Sequence, residues 1–212
     1  MSLYVPSHFM PPERSAAMRL VHDHPFATLI TPLSDERSHG EPVITHLPLV
    51  HVADCEPHGT LLGHFARANL HSAHAEGALS VAVFVGPHAY VSPAFYQDPA
   101  ASVPTWNYAV VHAHGTLHLA EDAEETRAIL DTMISRFEAP RAQPWKLGLD
   151  APRLEAMVRA IVGFRLRIKR LEAKFKLSQN RSREDQRRVA AELATGDAAS
   201  AATAAWMRGY AD

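Results

Sequence analysis

The residues that invite a chemical reading first are Thr105, Trp106, Asn107 and Tyr108 in the segment VPTWNYAVVHAHG, Val103 to Gly115. A strand that only had to fold needs none of these four in a row. Two rings interleaved with two hydrogen-bonding side chains suit a flat, apolar ligand with polar edges. Tyr90, Ser92, Phe95 and Tyr96 lie shortly upstream in GPHAYVSPAFYQDP. Taken singly, each ring is ordinary packing. As a cluster with Thr105 and Asn107, they read as a ligand pocket or a subunit interface.

Three further stretches carry candidate chemistry. In GHFARANLHSAH a strand-like run leads into a helix-like one, so Arg67 and the first free N–H groups of the helix are placed to hold a phosphate, with Asn69 adding an amide. The plain alternative is an Arg67 that faces water. In EPVITHLPLVH, Thr45 and His46 interrupt an apolar run that continues through Leu47 to Pro48. A proline there restricts the strand to an edge or a bulge, and the backbone groups left free suit the polar rim of a heterocycle. In EAKFKLSQNRSREDQRR, the polar residues Lys174, Lys176, Ser178, Gln179, Asn180 and Arg181 follow no apolar period. Burying them would demand a partner for every donor. The run reads as a loop gripping an anion or a second chain, or as an exposed lead into a helix.

Fourteen histidines raise the question of metal. His112, His114 and His118 share a strand face and His71 and His74 have i, i+3 spacing, yet no carboxylate or thiolate accompanies them at a known ligand spacing, so no metal site is expected. No nucleophile elbow, GxGxxG or phosphate-loop lysine motif is present, which leaves covalent hydrolysis and the common nucleotide folds without support.

The elements that must position these residues are mostly strands. Alternation or β-rich composition predicts strands at Phe26 to Thr31, Pro42 to Val52, Thr60 to Phe65, Leu79 to Gly86, Ala89 to Pro93, Asn107 to Leu119 and Val162 to Lys169. SDERSHGE and ADCEPHG read as hairpin turns. Helices are expected after Pro11 and Pro12, over EDAEETRAILDTMISRFE, after a cap at Asp150, and after a cap at Ser182, with Gly196 ending the last. Closely spaced antiparallel strands with helices inserted late imply a mostly β chain with added α, a barrel that removes exposed edges. One main domain is expected over residues 1–195, followed by an Ala-rich tail over 196–212, a loose helix or a frayed end.

Composition narrows the class. Cys55 is the single cysteine, which rules out an internal disulfide and favours a reducing compartment, with the cytoplasm as the default. The amino terminus lacks a leader pattern and no window is apolar enough for a membrane helix, so a soluble chain is expected. The net charge of −2 conceals a division: −7 over residues 1–164, +7 over 165–188 and −2 beyond. That basic stretch suits a phosphate, an acidic partner surface or nucleic acid, or is a solvated face.

Several words together, MSLYVPSHF, THLPL, GTLLGHFARAN, GPHAYVSPAFY, VPTWNYAVVHAHG and VGFRLRIKRLEAKFKLSQNRSREDQ, resemble in order the PaiB family, described as flavin mononucleotide (FMN)-binding negative transcriptional regulators. The resemblance implies an FMN-binding split β-barrel of the flavin-reductase and pyridoxamine-phosphate-oxidase type, acting as a homodimer with flavin at the subunit interface. It would place the flavin along Thr45, His46, Leu47 and Pro48 with Gly63 and His64, and its phosphate at Arg67 and Asn69. Thr105, Trp106 and Asn107 would form a wall or the dimer seam, and Lys176, Ser178, Gln179 and Asn180 would reach in from one of the two chains. The chain departs from the related oxidases in having Ala68 where they follow the arginine with lysine, and ANLHSA where they commonly have ANPHW. Two functions follow: an FMN-binding homodimeric repressor, or a flavin-dependent oxidoreductase, for which no residue is an obvious general acid or base although His46 and His64 have the right pKa range. An interaction module with an empty pocket is the third. No helix-turn-helix is evident, so direct DNA binding has weak support.

Overall fold

A computed structural model describes residues 3–32 and 41–209. Most of the turn expected at SDERSHGE, residues 34–40, lies outside the described residues. Seven strands form one sheet: β1 (Phe26–Thr31), β2 (Val43–Pro48), β3 (Val50–Val52), β4 (Thr60–Ala66), β5 (Leu79–Val91), β6 (Thr105–Leu119) and β7 (Ile161–Lys176). Six helices accompany them: α1 (Arg14–Asp23), α2 (Leu70–His74), α3 (Ala123–Glu138), α4 (Ala151–Arg159), α5 (Arg183–Ala194) and α6 (Ala198–Gly209). The sheet order is β2-β1-β5-β6-β7-β4-β3. Mostly β with added α is therefore what the chain adopts. Among the described residues, no helix is long and apolar enough to cross a membrane.

The chain divides into two compact units, Pro25–Val83 with His112–Leu171, and Met1–His24 with Phe84–Val111 and Glu172–Asp212. The first is the barrel unit and holds some part of every strand. In β1, Ala27, Leu29 and Thr31 are buried while Phe26, Thr28 and Ile30 are not, the period-2 pattern of a strand with one inward face. Antiparallel pairing sets Thr28 opposite His46 on one side and opposite Val83 on the other. The interior is filled by Leu29, Leu61, Phe65, Ala82, Ala113, Leu117, Phe164 and Leu166. A smaller apolar cluster joins Ile129 and Met133 of α3 to Val50 and Leu62. Asp122 caps α3 through the Glu125 N–H, and Glu125 is ion-paired with Arg165.

The expected strand from Pro42 to Val52 is in fact two. Pro48 closes β2, Leu49 turns the chain with its N–H on the Pro25 carbonyl (2.9 Å), and β3 begins at Val50. These two strands occupy the opposite ends of the sheet order, so a single residue separates its two edges. Conversely, the two strands expected before and after His88 are one, β5. Its buried positions change phase at Gly86 and Pro87, where the chain passes a glycine–proline pair without leaving the sheet. Such a phase slip is the usual accommodation of proline inside a strand.

In the second unit, Leu20 of α1, Phe84, Val91, Tyr96, Ala109, Phe175 and Leu177 are buried, together with Val189, Ala190 and Leu193 of α5 and Ala204 and Met207 of α6. Ser182 caps α5 by accepting from the Asp185 N–H, at the position the sequence indicates. The Ala-rich tail is a helix over most of its length. Thr203, Ala204 and Met207 of α6 are buried, and α6 lies on α5.

Candidate functional site

In the barrel unit, a line of polar side chains runs inward from the β2 edge. Asn69 Nδ2 donates to Thr45 Oγ1 (3.3 Å), and Thr45 Oγ1 lies 2.9 Å from His71 Nδ1. His71 Nε2 is 2.6 Å from Thr31 Oγ1, which is in turn 2.6 Å from Ser80 Oγ, and Ser80 donates to the Ala78 carbonyl at 3.5 Å. The fixed amide donor at one end and the fixed carbonyl at the other allow a single consistent direction. Thr45 donates to Nδ1, Nε2–H donates to Thr31, and Thr31 donates to Ser80, so His71 is the neutral Nε2–H tautomer. Its ring stacks on Phe65 (4.9 Å, 16°), which stacks on Phe164 (4.3 Å, 17°). Burial, and to a smaller extent His74, push the His71 imidazole down to about 4.

His71 is not among the ligands expected from the sequence. Its i, i+3 spacing to His74 draws attention to metal, whereas the ring is fully buried with both nitrogens engaged. What positions it is α2, capped by Asn69, whose Oδ1 accepts from the His71 N–H (2.9 Å).

Arg67 is anchored as well as exposed. Its Nε donates to the Arg159 carbonyl (2.8 Å) and Nη2 to the Ile161 carbonyl (2.7 Å), while its own N–H reaches the Ala160 carbonyl (2.8 Å). The Arg159 carbonyl at the end of α4 and the Ile161 carbonyl at the start of β7 therefore fix the guanidinium plane and leave three of roughly five N–H donors uncommitted. The helix-start argument contributes less than the sequence suggests. With five residues α2 has little dipole, and its cap is already taken by Asn69.

The other expected residues separate into distinct environments. β2 lies at a sheet edge, as Pro48 requires, but alternation sends Thr45 and Leu47 inward and His46 and Pro48 outward. On the outer face, His46 Nδ1 lies 3.0 Å from Thr28 Oγ1, across the pairing of β1 and β2. Gly63 has no open space beside it. An added Cβ would stand 2.6 Å from Phe164 and 2.7 Å from Leu49, so the side chains of the core fill that position. His64 is paired with Gly163 on the opposite face of β4, where the Gly163 N–H donates to Thr126 Oγ1 of α3 (3.2 Å). Its Nδ1 is buried without a hydrogen-bond partner, and burial lowers its basicity.

In the second unit, the distinctive words PTWNY and KLSQNR bond to each other. Lys176 Nζ donates to Thr105 Oγ1 (2.5 Å) and to the Trp106 carbonyl (2.6 Å). The fully buried Asn107 amide donates to Ser178 Oγ (2.9 Å) and meets Met207 Sδ (3.3 Å). Gln179 bridges the Leu177 N–H and the Phe175 carbonyl, and Ser178 takes a left-handed backbone, φ 69°. Asn180 is exposed. Lys176 and Ser178 find their partners on a strand about seventy residues earlier, and Gln179 finds its partners within its own segment. The Trp106 ring meanwhile stays in contact with Tyr90 and His88.

The family model described as "Putative FMN-binding domain" matches residues 3–170. The chain belongs to that family. A member of the FMN-binding family, it is also 33% identical over 193 residues to the protease synthase and sporulation protein PAI 2 of Bacillus subtilis, covering 90% of this chain and 89% of that one. Among solved structures, it resembles an FAD and heme binding protein from Mycobacterium smegmatis, with TM-score 0.60, 17% identity, and 88% of this chain and 80% of that one covered. It likewise resembles the flavocytochrome Anf3 from Azotobacter vinelandii, with TM-score 0.53, 12% identity, and 78% and 68% covered. The fold is thus the split barrel of flavin-binding proteins, and FMN is the cofactor the family assignment carries. The donors in the barrel unit fit that group chemically. Arg67 offers uncommitted N–H groups to a phosphate, Asn69 and Thr45 a polar pair, and the β2 edge free backbone groups for a ring.

Proposed function

We propose that this FMN-binding protein is a homodimeric regulator of the PaiB type, holding FMN at the β2 edge of the barrel unit. The observations that support this reading are the Asn69–Thr45 hydrogen bond at the α2 cap and, two residues before Asn69, an Arg67 guanidinium held by the Arg159 and Ile161 carbonyls with donors to spare. Arg67 would take the phosphate and Thr45 with the β2 backbone the polar side of the ring, with Leu47 and Pro48 as apolar neighbours. When bound, FMN supplies one- and two-electron redox chemistry. The protein's own residues bind, orient and shelter it.

The exposed face of β2, β1 and β5 supports the dimer. Phe26 is 67% exposed, Ile44 53% and Leu79 68%, and the registers bring Pro48 beside Phe26, and Ile44 and Val81 beside Ile30. These apolar residues flank the Thr28–His46 pair on the same face, and a cluster of exposed apolar side chains on one unit suits a partner surface, for which a second copy of the same chain is the occupant proposed. An Ile44→Asp and Phe26→Asp double variant is expected to run at half the mass of the parent in light scattering. Equal masses would remove this face from the assembly.

The decisive test is absorbance near the flavin band before and after adding FMN to purified protein. A preparation that neither carries nor takes up FMN sinks the proposal. Arg67→Ala is expected to weaken FMN binding at least about tenfold, the scale of a charge-assisted contact to phosphate, with the loss read by recovery of free-flavin fluorescence. Unchanged titration curves would mean that the phosphate lies elsewhere. A flavin-dependent oxidoreductase is the second reading, favoured by His46, whose Nδ1 is tied to Thr28 on an exposed face. Bleaching of bound flavin by NAD(P)H would select it, and salt-sensitive DNA retention would select the regulator.

A further inference from the structure

We propose that Lys174 and Lys176, walled by Tyr4, Phe9 and Tyr108, form a site in the second unit for a small oxyanion carried on a flat ring, an aromatic carboxylate or an aryl phosphate. Lys174 is only 9% exposed, and its ammonium stands 5.3 Å from the Tyr4 ring centre, 5.7 Å from Tyr108 and 6.0 Å from Phe9. Lys176 lies 5.9 Å from the same Phe9 ring. Two of its three N–H bonds go to Thr105 and the Trp106 carbonyl, neutral acceptors that orient the group without cancelling its charge. Among the described residues, no ion pair joins a carboxylate to either lysine.

The neighbouring cation Arg181, 4.4 Å over the Tyr96 ring, adds to the positive field, and its charge is also felt by Asp185. Burial first, then the charges of Lys174 and Arg181, hold Lys176 below the usual lysine range, so these groups sense one another. Half-buried like charges are costly unless an opposite charge completes them. Aromatic faces offset part of that cost for both ammoniums. They supply neither with an opposite charge. The flat ring is argued from Tyr4, which caps Lys174 yet is 81% exposed, an aromatic surface open to stacking beside the cations. The inference rests on residues of the second unit alone and stands whether or not FMN binds the β2 edge.

The test is calorimetric titration of the full chain with benzoate, phenyl phosphate, acetate and inorganic phosphate, with and without FMN. Benzoate and phenyl phosphate are expected to bind at least about tenfold more tightly than their ringless counterparts. Lys176→Met should weaken benzoate about tenfold and Lys176→Arg should retain it, as loss and retention of one charge-assisted contact predict. Tyr4→Ala should bring benzoate down to the level of acetate. Should Lys176→Met fail to fold, the Lys176→Arg and Tyr4→Ala titrations carry the same decision. Equal binding of benzoate and acetate to the parent, or no binding of either, overturns the proposal. So does displacement of benzoate by FMN, which would assign these lysines to the cofactor.

Discussion

Gly115→Ala is expected to destabilise the fold by about 3 kcal/mol, at the upper end of what overpacking costs, and to lower the melting temperature by about 10 °C. A Cβ at this position would stand 2.2 Å from the Arg167 carbonyl oxygen and 2.9 Å from its carbon. Both atoms are backbone of the adjacent strand, β7, so no side-chain rotation relieves the overlap. Either the strands part locally, losing ladder hydrogen bonds, or the sheet bends. Gly148→Ala is the matched control, because its nearest neighbour would be 3.9 Å away. Its effect is expected to stay within about 0.5 kcal/mol. A Gly115→Ala protein melting with the parent would show that β7 does not cross so closely.

The second large effect is loss of stability in acid through His71. The folded protein holds this imidazole neutral down to about 4, whereas the unfolded chain takes up a proton near the ordinary histidine value of about 6.5. Above pH 6.5 the contribution is fully present. As the pH falls through this window the unfolded state binds the additional proton, so stability declines, by about 2 to 3 kcal/mol on reaching pH 4.5. Protonation would place a second N–H against Thr45, whose hydroxyl must then reverse and abandon its donor role. Burial of His64 acts in the same direction. Urea melts of the parent and of His71→Gln at pH 7, 5.5 and 4.5 measure the effect. The variant is expected to lose most of the pH dependence above 4.5, and parallel curves for the two proteins would refute a depressed His71.

Much of the architecture was legible because local pattern and tertiary demand agree. β1 and β6 alternate in sequence as they do in burial, and Asp150 and Ser182 are N-caps where their spacing places them. The failures fall where local signals and tertiary requirements diverge. Gly86 and Pro87 read as a break, yet β5 runs through them from Leu79 to Val91 with a shift of its buried phase. Leu49 reads as the middle of an apolar strand, yet the chain changes edges there. Neither outcome depends on residue type alone.

The candidate site divides in the same way. Asn69 and Thr45 belong to two recognisable words, and a hydrogen bond joins them, whereas the Arg67 side chain is bonded to the Arg159 and Ile161 carbonyls. The role of His71 was not visible, since Thr31 and Thr45 from distant strands, together with Phe65 of the strand just before it, define its environment. The lack of apolar periodicity from Ser178 to Arg181 did announce that partners were needed, but not that Asn107 would be one. Nor does a glycine in an alternating strand reveal which carbonyl passes over it.

The single-residue step at Leu49 has a consequence for how this chain can vary. Both rims of the sheet are written in one continuous phrase, with no loop between them to absorb a miscount. Inserting or deleting one residue there would invert the inside and outside of β3 relative to β2. Length changes should therefore be forbidden at this hinge even where the identity of the residue is free to drift among apolar types.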